Sequence, residues 1–266
     1  MAKTVIFTDL DGSLLHPKMY SFEEASPALE LIRVKDIPLI LCSSKTRSEM
    51  VLYRERLRIN DPFIVENGGA VFVPEEYFPF PAGDVLRDSY TVSVLGTPYQ
   101  TIRHELITLR ERLHIAIQGF GDMAVEEITE LTGLSGAEAA LARDREFSEP
   151  FIFQHGVDTR FLKAIEERGL HWTKGRLYCL MGNHDKGQAV RLLKSWYARL
   201  YGSLITIGLG DGLNDLPLLQ EVDIPVLIQK EDGNYDPSVS LPRLTKANGI
   251  GPSGWSRAII QHLTNE

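Results

Sequence analysis

Two short acidic segments hold the residue types most suited to chemistry. Asp9-Leu10-Asp11-Gly12-Ser13-Leu14 closes one apolar run, and Gly208-Leu209-Gly210-Asp211-Gly212-Leu213-Asn214-Asp215 closes another. If each run is a strand of an open α/β sheet, these carboxylates lie beyond its carboxyl edge, where such sheets bind ligands. Two acidic strand ends call for a hard cation. Mg²⁺ takes one or two carboxylates, keeps several waters and completes its shell with carbonyl or phosphate oxygens. A bound phosphate needs further neutralisation, and Ser43-Ser44-Lys45-Thr46 supplies hydroxyls and free backbone N–H groups at a helix start. Lys186 opens a later helix with a compact cation. Together these groups describe phosphoryl transfer through an aspartyl phosphate. No Ser/His/Asp arrangement competes, and His184, beside Asp185, reads as a loop residue rather than a zinc ligand.

The elements that must position these groups are legible in the apolar pattern. Residues 4–8, 37–42, 204–209 and 224–229 are continuous rather than alternating, as in parallel strands covered on both faces. Helical signals follow them. Ser21 with Glu24 and Thr46 with Glu49 fit capping boxes, and residues 187–201 carry Ala189, Leu193, Trp196 and Leu200 at helical spacing. Strand and helix in alternation imply an α/β, doubly wound parallel-sheet core built from residues 1–82 and 182–266. Residues 83–181 keep a different rhythm, and read as an inserted α+β domain. A strand is expected near 89–95 and another at 150–154, with helices at 98–113, 122–132, 135–145 and 159–168. A hairpin pairs 170–173 with 177–181 around Lys174-Gly175-Arg176. Residues 74–83 and the Gly182-Asn183 link are the expected hinges.

Composition narrows the function classes. With 28 basic and 36 acidic residues the formal charge is −8, so the global field repels polyanions and a nucleic-acid partner is not expected. No apolar run approaches the ~20 residues of a membrane span, and no signal-peptide pattern is visible, so the expectation is a cytoplasmic protein without a membrane partner. Cys42 and Cys179 sit in apolar stretches as core residues rather than a disulfide. Nothing in the pattern reports oligomeric state.

Taken in order, Asp9-Leu-Asp-Gly-Ser-Leu, Ser43, Lys186 and Gly210-Asp211-Gly-Leu-Asn214-Asp215 resemble the four motifs of the haloacid dehalogenase (HAD) superfamily of phosphatases, with a cap inserted between the second and third. Cap position and content are similar to the Cof-type class, whose usual Thr-Gly-Arg is Ser43-Ser44-Lys45 here. That departure, Glu66-Asn67-Gly68-Gly69-Ala70 and a tail loop Gly251-Pro252-Ser253-Gly254-Trp255 look most like the mannosyl-3-phosphoglycerate phosphatases. The resemblance implies that Asp9 attacks phosphorus, while Asp11 protonates the departing alkoxide and later activates water. Ser43 and Lys186 would hold phosphate oxygens, with the choice between Ser43 and Ser44 open. Mg²⁺ would be bound by Asp9, the Asp11 carbonyl and Asp211, with Asn214 and Asp215 in or beside its shell. Ser44, Lys45, Asn67 and Gly68 would face a small anionic sugar phosphate, and Lys174 and Arg176 its carboxylate. A glucosyl substrate, a phosphomutase and a non-catalytic binder are the alternatives.

Overall fold

The continuous apolar runs become buried strands of one large sheet. The chain passes through β1 (Lys3–Thr8), α1 (Ser26–Val34), β2 (Leu39–Cys42), α2 (Arg47–Leu57), β3 (Phe63–Val65), β4 (Ala70–Pro74), β5 (Val85–Arg87) and β6 (Tyr90–Val94). It then builds α3 (Tyr99–Leu113), β7 (Ile117–Gly119), α4 (Val125–Thr132), α5 (Gly136–Arg143), β8 (Ser148–Phe153), α6 (Thr159–Glu167), β9 (His171–Lys174) and β10 (Tyr178–Met181). It returns through α7 (Lys186–Tyr201), β11 (Leu204–Gly210), α8 (Leu216–Glu221), β12 (Ile224–Gln229), β13 (Thr245–Ile250) and α9 (Gly251–Thr264). This computed structural model describes residues 2–264; residues 1, 265 and 266, at the outer bounds expected for the core, lie outside the described residues.

The large sheet has the order β13-β12-β11-β1-β2-β3-β4-β6-β5. Strands β13 to β3 are parallel, and β4, β6 and β5 add antiparallel at one edge. β1 lies between β11 and β2, with Val5, Ile6 and Phe7 fully buried. Helices α1, α2 and α9 cover one face through Leu29, Tyr53 and Trp255, while α7 and α8 cover the other through Val190, Leu193 and Leu218. This two-sided cover is why the strands lack alternation. The second sheet, β7-β8-β10-β9, is antiparallel. Leu106, Leu109 and Ile165 of α3 and α6 pack on its Phe151, and α4 and α5 pack on Ile152, which the pleat turns to the opposite face.

Several expectations need correction. The division at residues 82 and 83 comes too early: β4 pairs with β6 from Ala70↔Val94 to Pro74↔Tyr90, so 85–94 extends the large sheet. The strand expected near 89–95 is therefore part of that sheet. Segment 74–83 is no hinge, because Phe78 packs on Trp196 and Tyr197 of α7 and the Tyr77 hydroxyl hydrogen-bonds the Tyr197 hydroxyl at 2.8 Å. The chain crosses between sheets at 95–98 and 182–185 instead. These crossings touch: a side chain at Gly182 would stand 2.1 Å from Thr97 Oγ1. No capping box forms at Ser21; α1 starts at Ser26 with Pro27, whose fixed φ suits a first turn. The box at Thr46 and Glu49 does form. Residues 251–255, expected as a loop, open α9.

Candidate active site

Because β1 and β11 are neighbours, with Thr8 opposite Leu209, the two acidic segments leave the sheet side by side. The Asp9 backbone N–H donates to the Leu209 carbonyl at 2.9 Å. From the other side Trp255 Nε1 donates to Thr8 Oγ1, which donates to the Asp9 carbonyl, both at 2.8 Å. Lys186 Nζ then spans Asp9 Oδ1 and Asp215 Oδ1, 2.6 Å from each. The other Asp215 oxygen accepts the backbone N–H groups of Asp211 at 2.9 Å and Gly212 at 3.1 Å. Asp215 thus shapes the loop and orients the lysine. Gly12, at φ +85°, leaves room for the Asp211 carboxylate, which a Cβ there would meet at 2.7 Å.

Asp9, Asp211 and Asp215 offer oxygens that all lie within 4.8 Å of one another. Lys186 bonds two of these carboxylates, and Asp211 feels Lys230 and Lys186 only through space. Burial and the Asp215 charge raise Asp9 well above the usual carboxylate range despite Lys186, and the same causes push Asp211 up to about 7. Burial pulls the other way on Lys186, but Asp215 and Asp9 outweigh it and keep the ammonium charged. The raised carboxylates record a shortage of positive charge, and an all-oxygen donor set suits a hard divalent cation. The acidic cluster fits a metal ion.

Beyond β2 the chain turns at Ser43-Ser44-Lys45 into α2. Ser43 is buried, and its Oγ accepts the Lys45 N–H at 3.3 Å, while Ser44 lines the cleft described below. Lys45 is no free cation. Its Nζ lies 2.9 Å from Asp11 Oδ2 and 3.6 Å from Glu49 Oε1, between the Tyr20 and Tyr53 rings at 5.1 Å from each. The other Asp11 oxygen, Oδ1, is buried without a partner.

The Glu66-Asn67 turn places two non-glycine residues at positive φ, +47° and +57°. Such strain persists only where the surroundings hold it, and here they do. The fully buried Glu66 carboxylate accepts the Glu146 N–H at 2.7 Å, the Phe147 N–H at 3.0 Å and the Ser148 hydroxyl at 2.7 Å, and faces Arg145 Nε at 3.3 Å. Arg145 Nη2 donates to the Ser44 carbonyl at 3.0 Å, so this strut ties the serine turn to β8 of the second sheet. His184, held neutral by burial with its pKa lowered to about 4, meets the Glu66 carbonyl at 3.2 Å. Gly68, expected beside substrate, serves packing instead: at φ +101° a Cβ would stand 2.1 Å from the Asp185 carbonyl oxygen. Asn67 does line the cleft, with Oδ1 buried and unpartnered.

A cleft of about 440 Å³ separates the two sheets, with Asp9, Asp11 and Asp211 on its floor and Lys174, Arg176 and Tyr178 on the opposite wall. Gly175, between the two wall cations, faces Asn214: a Cβ there would stand 3.7 Å from the Asn214 amide oxygen, so this side chain meets the hairpin tip. Arg176 Nη1 donates to the Tyr20 hydroxyl at 3.0 Å and the Thr132 carbonyl at 2.6 Å, and Nη2 to the Leu131 carbonyl at 3.2 Å. Lys174 Nζ lies 5.1 Å above the Tyr178 ring. None of these partners is an anion, so both residues keep their charge for the cleft. Tyr20, Glu49, Glu66 and Arg145 were missed as site residues. Glu49 was legible only as a helix cap and Glu66 only inside a family motif, whereas Tyr20 and Arg145 carried no local signal.

The haloacid dehalogenase-like hydrolase family matches residues 6–79. A glucosyl-3-phosphoglycerate/mannosyl-3-phosphoglycerate phosphatase of Methanococcoides burtonii is 45% identical over 262 residues, covering 97% of this chain and 96% of its own. The chain belongs to the haloacid dehalogenase-like hydrolases. Another relative, a mannosyl-3-phosphoglycerate phosphatase of Pyrococcus furiosus, is 39% identical over 227 residues, which cover 84% of this chain and 90% of that protein. In fold, a HAD-superfamily phosphatase of Bacteroides thetaiotaomicron superposes with a TM-score of 0.65 at 18% identity, covering 99% of this chain and 96% of that one. Superfamily, capped α/β fold and enzyme class, a phosphoric monoester hydrolase, are as the motifs imply. Among the described residues no helix is long and apolar enough to cross a membrane.

Proposed function

We propose that the cleft hydrolyses a glycosylated 3-phosphoglycerate, with mannosyl-3-phosphoglycerate as the preferred substrate and mannosylglycerate and inorganic phosphate as products. The observation that carries the reading is the polarity of the cleft. Asp9 and Asp211 lie on the floor above the buried Lys186, and two cations that have no anionic partner among the described residues stand on the wall. A phosphate held at the floor together with a divalent cation, and a carboxylate at the wall, would match the two. The names of the relatives support the substrate, and the first covers glucosyl as well as mannosyl esters.

Mg²⁺ would be held by Asp9, the Asp11 carbonyl and Asp211, with Asp215 beside them, and would neutralise charge on the phosphate oxygens. Lys186 and a hydroxyl of the Ser43-Ser44 turn hold the remaining oxygens. Asp9 attacks phosphorus, the bond to the glycerate oxygen breaks, and that alkoxide takes the proton of Asp11. Lys45 holds Asp11 Oδ2, so the unpartnered Oδ1 is the oxygen that delivers it. Water then attacks the aspartyl phosphate while Asp11 takes back a proton, which frees phosphate and Asp9. Phosphate release from mannosyl- and glucosyl-3-phosphoglycerate, with Mg²⁺ and then with chelator, tests the reading. Release with no bisphosphate requirement, lost in chelator and restored by Mg²⁺, is expected. No release, or full activity in chelator, defeats it.

A further inference from the structure

We propose that Tyr20 is a positioning residue that fixes the wall cation Arg176 from the side of the large sheet. The proposal rests on the reading of Arg176 as the group that binds the substrate carboxylate. Tyr20 belongs to the loop between β1 and α1, yet it packs against the apolar cluster beneath α4 and α5, beside Leu131 and Leu177. Its hydroxyl donates to the Thr132 carbonyl at 3.1 Å and accepts from Arg176 Nη1 at 3.0 Å. Among the described residues Arg176 is otherwise held by the Leu131 and Thr132 carbonyls at the end of α4 and forms no ion pair. An exposed arginine loses side-chain freedom on binding, and a tether made before the ligand arrives lowers that cost.

A second observation is independent of these bonds. Tyr20 has φ +53°, a left-handed conformation that is an outlier for a bulky side chain. A strained tyrosine at a cleft mouth persists where its contacts hold it. The same ring lies 5.1 Å from Lys45 Nζ, which pairs with Asp11, so one side chain touches both the wall cation and the partner of the acid/base group.

Tyr20→Phe keeps the ring over Lys45 and deletes the hydroxyl. Calorimetric titration of 3-phosphoglycerate and of inorganic phosphate, each in Mg²⁺, reads the effect without turnover. The expected result is about ten-fold weaker 3-phosphoglycerate binding, the loss of one charge-assisted arrangement, with a several-fold smaller change for phosphate. In an Arg176→Ala background the same substitution should have little further effect, because the two residues act as one unit. Steady-state rates should show the matching split, a raised KM with a small change in kcat, on the glycosylated ester. Equal weakening of both anions, no weakening, or full additivity with Arg176→Ala overturns the proposal. So does a wild type that binds 3-phosphoglycerate no better than phosphate. A wild type that binds 3-phosphoglycerate through this pair but releases no phosphate from the glycosylated esters overturns the substrate reading alone.

Discussion

The floor and the wall of the cleft hold charge in opposite ways. On the floor, Asp9, Lys186 and Asp215 are buried and fix one another at 2.6 Å, so every charge there is matched or frustrated by another charge. On the wall, Lys174 and Arg176 are exposed and held by a ring, a hydroxyl and two carbonyls. Electrostatic coupling is strong where water is excluded and weak where it is not. The floor should therefore control whether chemistry occurs, and the wall how tightly one particular ester is held.

The sharpest break of that contrast is Asp9→Asn. It preserves shape, removes the anion proposed to attack phosphorus and relieves the repulsion recorded by the raised Asp9 and Asp211. Turnover should fall by on the order of 10³-fold or more. The thermal midpoint in chelator should hold or rise, because one of three crowded carboxylates is gone. A folded Asp9→Asn protein with wild-type turnover would remove the covalent step.

Between floor and wall stands the Glu66 strut, and its failure should appear first in stability. Glu66→Ala leaves Arg145 buried without its carboxylate and strips the Glu146 and Phe147 N–H groups of their acceptor. Losing one partner of a buried pair costs roughly 3–5 kcal/mol, measurable by urea unfolding. Glu66→Gln keeps an acceptor oxygen and should lose less. Since Arg145 also holds the Ser44 carbonyl, kcat should fall with stability in the alanine variant. Unchanged unfolding of Glu66→Ala would mean that the two sheets are held together elsewhere.

The same contrast explains what the sequence revealed. Asp9, Asp11, Asp211 and Asp215 stand in contiguous motifs directly after strands whose apolar runs are unmistakable, so their place at one sheet edge follows from topology. Lys186 needed only the start of α7. The strut was hidden because its partners are 80 or more residues apart in sequence, Glu66 with Glu146, Phe147 and Ser148, and pairing across sheets leaves no local spacing to read. The division at residue 82 failed for a related reason. β5 is exposed along its length and β6 is only partly buried, so neither shows the continuous apolar run that marks the central strands. Gly68 looked like a ligand-facing glycine, whereas its missing Cβ makes room for the Asp185 backbone.

The smallest expected effect tests the wall itself. Arg176→Ala removes an exposed side chain whose partners can rehydrate, so unfolding should shift by no more than about 0.5 kcal/mol. If Arg176 reads the substrate carboxylate, KM for mannosyl-3-phosphoglycerate should rise about ten- to a hundred-fold, the equivalent of one charge-assisted contact of roughly 1.5–3 kcal/mol. With the phosphate bound at the floor as proposed, the lost contact would be felt equally before and in the transition state, and kcat should change little. An aryl phosphate, which has no carboxylate, should lose several-fold less. Lys174→Ala should cost less than Arg176→Ala, because its ammonium rests over the Tyr178 ring on a flexible stem and is not fixed by hydrogen bonds. Should both variants handle the two substrates alike, the wall cations are a solvated turn. Lys45 could not replace them while paired with Asp11, which would leave Asn67, on the cleft lining, as the next residue to substitute.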